Sequence, residues 1–494
     1  MSIRRGARPA FGWPVVRRSR PSSGSKTPDG IFSALRHRNY RLFWFGQLVS
    51  VTGTFMQSTA QQWLVLTLTP NPLALGIVGA LQFGPLLIPF GGAIADRWPR
   101  RNVLMATQTA AGLLALILFA LTVTHAVQLW QVYVLALMLG IVNAVDMPTR
   151  QAFVSEMVPA DSLLNAVSLN SAQFNASRIV GPGLAGALIA LFGVPPLFLL
   201  NAVSFIAVIF GLLMMNLKDL VPVPRAEFAH GIARIRALGD GFRFILSDPT
   251  MRVTFLMIAV IGTMGFNFNV VLPLEAYSVL HAGPAVFGWL SSALGAGALI
   301  GALTLAKRGG RPTNKQLVFM AAGFGILEAT IGLTHSILTT MLLIALSGFF
   351  MSSFSASANT RTQLSSPAAI RGRVMSVYTM VFVGTTPIGN LIVSGVAARG
   401  GVSASWVVAG LPCLFVALVA AFLWRRQDQQ QTLLAAAPVE AAPPVPGSAP
   451  VDALPAPPNA LLPEMPQANQ TRLPRLGRTA PGQPKPQPRA ANRN

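Results

Sequence analysis

The stretch DRWPRRNVLMATQTAAGLLALILFALTVTHAVQ, residues 96–128, decides the fold class. Three basic residues lie in positions 97–101, and the 23 residues at 102–124 carry no charge. A helix needs about 20 mainly apolar residues to cross the hydrocarbon core of a bilayer. The next loop, at about 123–130, has no basic residue. An apolar span with a basic loop at one end and an uncharged loop at the other predicts a membrane helix of defined orientation.

Eleven further apolar stretches repeat this pattern along the 494 residues. The twelve predicted spans lie at about 42–66, 73–95, 102–124, 129–148, 163–191, 195–216, 253–279, 284–306, 317–334, 337–359, 374–397 and 403–424. Charged residues make up only 11% of the chain, against roughly 25% in soluble domains. Because lipid can cover apolar side chains that water cannot, we predict an all-α integral membrane protein with twelve transmembrane helices.

The formal net charge of +22 is typical of nucleic-acid-binding proteins, but its distribution favours a membrane protein. Of the 37 lysines and arginines, 35 lie in segments that the spans put on one side of the bilayer. The other two are Arg178, inside the fifth span, and Arg399, on the opposite side. Since cytoplasmic loops carry the excess of basic residues, we predict a multi-pass inner-membrane protein with both termini cytoplasmic and no nucleic-acid partner.

Five regions follow from these spans. They are a basic, mostly disordered cytoplasmic N-terminus (1–41), a six-helix half (42–216), a cytoplasmic linker (217–252), a second six-helix half (253–424) and a Pro-rich disordered cytoplasmic tail (425–494). Apolar residues of the linker are spaced by three and four with arginines between them, which predicts a basic amphipathic helix on the membrane surface. These apolar residues are Ile232, Ile235, Leu238, Phe242 and Ile245.

The two halves resemble each other in sequence. Pro72-Leu-Ala-Leu-Gly76 matches Pro284-Ala-Val-Phe-Gly288, and Thr149-Arg150 matches Thr360-Arg361. Three further matches bring the offsets to 205–212: Gly92 with Gly301, Pro159 with Pro367, and Pro182 with Pro387. Each copy spans six helices, so both copies have the same orientation. Two parallel six-helix halves are the plan of the major facilitator superfamily.

No feature of the sequence predicts catalysis or a bound metal. Cys413 is the single cysteine, which excludes an intramolecular disulfide and a thiolate zinc cluster. The chain shows no pairing of a nucleophile with a base and no metal-ligand spacing. We therefore predict a protein that is not an enzyme and that has no cofactor and no metal site.

Several motifs carry a closer resemblance. The loop Gly92-Ala-Ile-Ala-Asp96-Arg97-Trp-Pro-Arg100-Arg101 resembles the G-x-x-x-D-R-x-G-R-R motif of the major facilitator superfamily, with Pro99 replacing the usual glycine; its alternative is a simple basic loop. Five other stretches look like the enterobactin-exporter-like subfamily over about residues 31–425. They are Asn39-Tyr-Arg-Leu-Phe-Trp-Phe-Gly-Gln47, Gln61-Gln62-Trp63-Leu64, Pro148-Thr-Arg-Gln-Ala-Phe-Val154, Leu164-Asn-Ala-Val-Ser-Leu-Asn170 and Arg178-Ile-Val-Gly-Pro-Gly183. The resemblance implies proton-driven export through a cavity lined by the first, fourth, seventh and tenth helices.

The fifth span contains Gly181-Pro182-Gly183-Leu-Ala-Gly186. This stretch resembles the antiporter motif of drug and siderophore exporters, with the usual final double glycine reduced to Gly186. The same small residues also suit plain close packing of helices, so both interpretations stay open.

Charged residues inside the spans are the main candidates for function, because each is costly in the bilayer. Asp146, Glu275 and Glu328 are candidates for proton coupling. Glu275 comes first, since it follows Thr263 and Asn267 at multiples of four and so shares one polar face with them; the alternative is a structural hydrogen bond at the outer rim. A cytoplasmic gate is predicted from Gly92, Asp96, Arg97, Arg100, Arg101, Asp146 and Arg150. Arg178 either binds an anionic substrate group or holds helices together.

Polar residues recur at spacings of three and four along the first span. This stripe predicts a helix face along a wet cavity or, alternatively, in a dry polar interface. With polar residues of other spans, the predicted cavity residues are Gln47, Thr54, Gln57, Gln61, Asn143, Asn175, Arg178, Asn267, Ser353 and Asn359.

Together these features predict a secondary active transporter. We expect a monomeric, proton-coupled exporter of a small amphipathic molecule of siderophore or drug type, working by alternating access as its two halves rock around a central site. Its predicted partners are the substrate, protons and the lipid bilayer. The alternatives are an importer or lipid flippase of the same fold, and a non-transporting membrane sensor or scaffold.

Overall fold

The computed structural model describes residues 30, 32–87, 98–221 and 232–436, which are helical and contain no strand. The first half consists of α1 (Arg38–Leu68), α2 (Leu73–Phe83, continued by a 3-10 turn over Gly84–Leu87), α3 (Arg100–Val123), α4 (Leu129–Met157), α5 (Ala160–Phe192) and α6 (Pro195–Leu213). The linker forms α7 (Ile232–Ser247). The second half consists of α8 (Pro249–Met264), α9 (Phe268–Leu274), α10 (Pro284–Arg308), α11 (Asn314–Ile331), α12 (Ile337–Ser365), α13 (Arg371–Gly384) and α14 (Thr386–Ala436).

Each predicted span lies on one or two of these helices. Spans one to six are α1 to α6, and the second span is described as far as Leu87. Span seven is α8 with α9, and spans eight to ten are α10 to α12. α13 and α14 together form the last two spans. Within the described residues, eight helical segments are long and apolar enough to cross a bilayer. The prediction of an all-helical, multi-pass membrane protein is therefore confirmed.

Local sequence explains where several helices begin, end or bend. The Asp248 carboxylate caps α8 by accepting hydrogen bonds from the backbone N–H groups of Thr250 at 2.7 Å and Met251 at 3.1 Å. α5 ends at Gly193, whose φ of 76° lies in the left-handed region that glycine adopts at little cost. Gly401, with φ of 83°, separates the two membrane spans within α14 for the same reason.

The seventh span is not one regular helix. It breaks between Met264 and Phe268, and the helix widens into a π turn over Glu275–Val279. Pro273 lies just before this turn and lacks the N–H that a regular helix would use. The expected single polar face through Thr263, Asn267 and Glu275 assumed a regular helix, and that assumption is wrong.

The linker helix α7 packs on α13. A Cβ atom on Gly241 would lie 2.8 Å from the carbonyl oxygen of Arg373, so the two helices approach closely there. Asp240 and Arg373 form an ion pair at 2.5 Å, with exposed fractions of 56% and 46% for the two side chains. Ile245 is buried. The position of α7 relative to the bilayer stays a prediction.

The two halves meet at one end of the bundle, which we call the neutral end because five of its loops contain no lysine or arginine and Arg399, beside Gly401, is the only such residue described there. These loops are 69–72, 124–128, 193–194, 280–283 and 332–336; the opposite end is the basic end. The Trp63 ring of α1 stacks on Phe287 of α10 with centroids 6.2 Å apart and meets Tyr277 edge-on at 5.9 Å. A Cβ atom on Gly76 of α2 would lie 1.9 Å from the Ser394 hydroxyl of α14. The neutral end is therefore closed.

One face of α5 shows where contact between the halves stops. Near the neutral end, a Cβ atom on Gly186 would lie 2.9 Å from the Cα atom of Gly288 on α10, and one on Gly288 would lie 2.5 Å from the Pro182 carbonyl oxygen. With 3.6 residues per turn, the same face continues toward the basic end through Ser171 and Ser168. Both serines are exposed. The space between the halves is therefore open toward the basic end.

Candidate functional site

A cavity of about 500 Å³ lies between the two halves, on the open side of these neutral-end contacts. Its volume is within the roughly 300–1,000 Å³ typical of small-molecule sites. Five phenylalanines from both halves form much of the wall. They are Phe55, Phe83, Phe266, Phe268 and Phe382.

Polar side chains interrupt this aromatic wall. Hydroxyl and amide groups come from α1, α9, α10 and α12, and they include those of Ser58, Gln62, Asn269, Ser291, Ser352 and Ser355. Arg178 of α5 is the only charged residue in the described lining, and it is half-buried. An aromatic wall with a few hydrogen-bonding groups and one cation suits a molecule that is partly apolar and partly polar.

The helices that line the cavity differ in part from those that the family resemblance implied. The first, seventh and tenth spans contribute, as implied, but α2, α5, α10 and the α13–α14 junction contribute as well. The whole of α4 is described, and none of its residues lines this cavity. α4 instead packs on α2, where a Cβ atom on Gly140 would lie 2.6 Å from the Gln82 carbonyl oxygen.

The polar stripe on α1 lies mainly inside the first half. The Gln57 side chain accepts a hydrogen bond from the Asn201 amide of α6 at 2.7 Å, and Gln47 accepts one from Arg150 of α4. Both glutamines are buried. The cavity is lined instead by Ser58, the residue after Gln57, and by Gln62, the residue after Gln61. Consecutive residues of a helix are rotated by about 100° about its axis. The stripe therefore faces mostly the dry polar interface, which was the alternative to the wet cavity.

The other predicted cavity residues are spread over several environments. Arg178 alone among the ten lines this cavity. Asn267 is buried and donates to the Thr263 carbonyl oxygen at 2.7 Å. The remaining ones are Gln61 and Ser353, which are buried outside the lining, Thr54, which is exposed, and Asn143, Asn175 and Asn359, which are half-buried.

Asp146 is the centre of a buried network near the basic end of the first half. Its side chain is only 3% exposed. It accepts hydrogen bonds from the Thr107 hydroxyl at 2.7 Å and the Gln108 amide at 2.8 Å, both on α3. Arg150, one turn later on α4, pairs with the same carboxylate and also donates to Gln47 of α1. The network thus joins α1, α3 and α4 within one half.

Two further residues of the predicted gate are held in the same half. The Arg100 guanidinium pairs with Glu156 of α4 at 2.8 Å, and Arg101 donates to the Leu212 carbonyl oxygen of α6 at 2.7 Å. The sequence interpretation missed Glu156, because it lies eight residues beyond the predicted end of the fourth span and nothing local in the sequence pairs it with Arg100. Gly92, Asp96 and Arg97 lie outside the described residues. A gating role for the set stays a prediction.

Glu275 is fully buried between the π turn after α9 and the neutral-end part of α14. The indole Nε1–H of Trp406 donates to its Oε2 atom at 2.8 Å. Its Oε1 atom has no hydrogen-bond partner in the described part of the chain. The carboxyl group does not line the cavity, but Leu272, about one turn earlier, does. The site is therefore adjacent to the cavity and dry.

Glu328 is also buried, on α11, and its Oε2 atom has no partner among the described residues. α11 packs on α14, where a Cβ atom on Gly325 would lie 2.7 Å from the Gly410 carbonyl oxygen. No residue of α11 lines the cavity. Glu328 therefore lies outside the central site.

The glycines of the antiporter-like stretch lie where α5 crosses α1 and α10. A Cβ atom would lie 2.6 Å from the Phe55 Cβ atom at Gly181, 2.8 Å from the Ser292 hydroxyl at Gly183, and 2.6 Å from the Pro284 carbonyl oxygen at Gly186. Pro182 lines the cavity. The stretch thus forms both a close joint between the halves and part of the cavity wall.

Known proteins resemble this chain over most of its length. The sequence pattern of a family described as transmembrane secretion effector matches residues 29–445. A staphyloferrin A transporter of Staphylococcus aureus is 26% identical over 391 residues, which cover 78% of this chain and 96% of that relative. A multidrug efflux pump of Mycolicibacterium fortuitum is 26% identical over 400 residues, with shares of 78% and 96%. An enterobactin exporter of Citrobacter koseri is 24% identical over 389 residues, with shares of 78% and 91%.

Solved structures share the fold. A nucleoside transporter superposes with a TM-score of 0.63 at 13% identity, covering 78% of this chain and 100% of that chain. A bacterial homologue of the human lysosomal transporter Spinster, in an inward-facing and unoccupied conformation, gives 0.59 at 13% identity, with shares of 80% and 98%. The shared fold confirms the predicted fold class. The matched family and the sequence relatives are transporters and not enzymes, which confirms the predicted absence of an enzymatic role. The chain belongs to the transmembrane secretion effector family of major facilitator superfamily transporters.

Proposed function

We propose that this secondary transporter exports a small amphipathic molecule across the inner membrane in exchange for protons, acting as a monomer. The observation that carries the proposal is the cavity between the halves, closed at the neutral end and open toward the basic end. If the basic end is cytoplasmic, as the loop charges predict, substrate enters from the cytoplasm. Opening of the neutral-end contacts then releases it outside.

The names of the relatives agree with such a substrate. They include a staphyloferrin A transporter, an enterobactin exporter and a multidrug efflux pump. A cavity walled by phenylalanines with scattered hydroxyl and amide groups suits amphipathic molecules. A comparison of compounds released by cells with and without the protein tests the proposal. Release should increase with the protein and stop when the proton gradient is collapsed. Accumulation inside the cells would instead support an importer, and release that persists without the gradient would contradict proton coupling.

Glu275 is the proposed proton site. Among the described residues, the buried carboxylate has a single hydrogen-bond donor and no cation beside it. Burying a carboxylate in this way is costly, and binding a proton removes that cost. The π turn and the break before α9 make this segment irregular, so movement of the segment can change the surroundings of the carboxyl group. Its position about one turn from Leu272 puts it close enough to the cavity for substrate binding to affect it.

We expect Glu275→Gln to lower proton-driven efflux at least tenfold while substrate binding is retained. Glutamine keeps an oxygen that accepts from Trp406 but cannot exchange a proton. Trp406→Phe is the matched control, because it removes the hydrogen bond and keeps the carboxyl group; it should retain coupled efflux. Efflux from proteoliposomes under an imposed pH gradient measures both. Full efflux activity of Glu275→Gln together with loss of efflux in Trp406→Phe would contradict the proton-site role. The hydrogen bond between Glu275 and Trp406 would then be purely structural.

The predicted sidedness can be checked with single cysteines in a Cys413→Ala background. Lys315, at the basic end, and His335, at the neutral end, are both exposed. In intact cells a membrane-impermeant maleimide should label a cysteine at 335 and not one at 315, and permeabilisation should make both react. Labelling of position 315 in intact cells would reverse the proposed orientation.

A further inference from the structure

Arg178 lines the central cavity and has no charged or hydrogen-bonding partner among the described residues. Within the described ranges, its guanidinium makes no hydrogen bond and no ion pair. The described lining contains no aspartate or glutamate. A basic side chain at this depth is costly unless it faces water or a counter-charge. Every other arginine of the chain but one belongs to the basic side, so the general charge bias does not explain Arg178.

The position of Arg178 on α5 is also specific. It shares the helix face of Pro182 and Gly186, which pack against α10. About two and three turns further toward the basic end, the same face is exposed at Ser171 and Ser168. Arg178 therefore lies where the closed part of the interface gives way to the open part. A group bound there touches the region that changes when the halves rock.

The surroundings complement a particular kind of ligand. A guanidinium presents a planar fork of N–H donors that binds a carboxylate with two hydrogen bonds. Aromatic rings line the same cavity, and those of Phe266 and Phe382 pack edge-on with centroids 5.3 Å apart. Ser58 and Ser291 also line the cavity. A cavity with one positive charge and an aromatic wall selects a molecule that has one negative group and an apolar, aromatic body.

We infer that the transported substrate is an aromatic or similarly apolar organic acid and that Arg178 binds its carboxylate. The inference rests on the proposed export function and specifies the class of compound that the cavity accepts. The alternative role of Arg178, holding helices together, requires a partner on another helix, and the described structure provides none. A lipid headgroup offers the same anionic chemistry, and the experiment below separates it from a free acid.

Binding to the purified full chain in phosphatidylcholine nanodiscs tests this inference with three matched probes: 2-naphthoate, its neutral amide 2-naphthamide, and 2-naphthylmethylammonium. We expect 2-naphthoate to bind at least tenfold more tightly than the amide and the cation to bind most weakly. Arg178→Gln should abolish the preference, and Arg178→Lys should restore part of it. Arg399→Gln is the control, because it removes an exposed charge at the neutral end; it should leave the preference unchanged.

Several outcomes would overturn the inference. They are equal binding of the three probes, no binding of any of them, or a carboxylate preference that survives in Arg178→Gln. A merely structural arginine would lower the thermal stability of Arg178→Gln without changing the ratio of affinities. Loss of 2-naphthoate binding when phosphatidylglycerol replaces phosphatidylcholine would assign the site to a lipid headgroup. Since binding is measured without transport, release of compounds by cells reports separately on the proposed export function.

Discussion

Asp146→Ala is expected to lower the stability of the protein by about 3 kcal/mol, enough to reduce its abundance in the membrane severalfold. The substitution leaves the guanidinium of Arg150 partly buried and without its carboxylate, and breaking a buried ion pair by removing one partner costs about 3–5 kcal/mol. Arg150 is 28% exposed, which favours the lower end of that range. The Gln108 amide also loses its acceptor, and the Thr107 hydroxyl keeps only the Leu104 carbonyl oxygen. The melting temperature of purified protein and its level in membranes measure the effect.

The matched control is Asp240→Ala. It breaks the ion pair with Arg373, in which both side chains are about half exposed, and surface pairs of this kind contribute about 0–1 kcal/mol. A second variant, Asp146→Ala with Arg150→Met, removes the stranded charge and should recover part of the lost stability. Equal stability of Asp146→Ala and Asp240→Ala would contradict the role given to the buried network.

The architecture could be predicted because its signals are local in the sequence. An apolar run long enough for the bilayer and a basic or uncharged loop at each end are visible without knowing any contact. The span at 102–124 was expected from such a run, and the structure has α3 there, at Arg100–Val123. The repeated stretch Pro72–Gly76 and Pro284–Gly288 likewise begins a helix in each half.

The cavity could not be predicted in the same way, because a residue that lines it looks like its neighbours in sequence. Gln57 and Ser58 are adjacent and both polar, yet one bonds Asn201 inside the first half and the other faces the cavity. A phenylalanine in a membrane helix suits lipid, a packed core or a cavity wall equally well, so the aromatic lining had no sequence signal. Arg178 was found because a charge in a span is costly wherever it lies.

The surroundings of Glu275 could not be predicted from the sequence for another reason. Its hydrogen-bond partner Trp406 is 131 positions away in sequence, and the irregular turn that contains Glu275 shifts it from the face a regular helix would give. A period of 3.6 residues applies only while the helix is regular. Helical spacing therefore describes α5, where the face through Pro182 and Gly186 is continuous, and fails across the break before α9.

Gly186→Val is expected to shift the molecule away from the state closed at the neutral end and to reduce transport by more than 90%. The added side chain has no room, since even a Cβ atom would lie 2.6 Å from the Pro284 carbonyl oxygen and 2.9 Å from the Cα atom of Gly288. Overpacking of this kind costs about 1–3 kcal/mol. A change of that size alters a two-state equilibrium by roughly 5- to 150-fold. In the proposed rocking cycle the closed contact exists in one state only, so we expect the cost to act on the equilibrium more than on the fold.

Distances between spin labels can measure this shift. Cysteines replacing His125 and His335, in a Cys413→Ala background, lie at the neutral end of different halves, and both histidines are exposed. Gly186→Val should increase the fraction of long distances between the two labels. Gly395→Val on α14 is the control, because no heavy atom lies within 4 Å of the position that its Cβ atom would take. An unchanged distance distribution together with normal transport in Gly186→Val would mean that the α5–α10 crossing tolerates separation, and that the neutral end is held shut by the contacts of Trp63 and Gly76 instead.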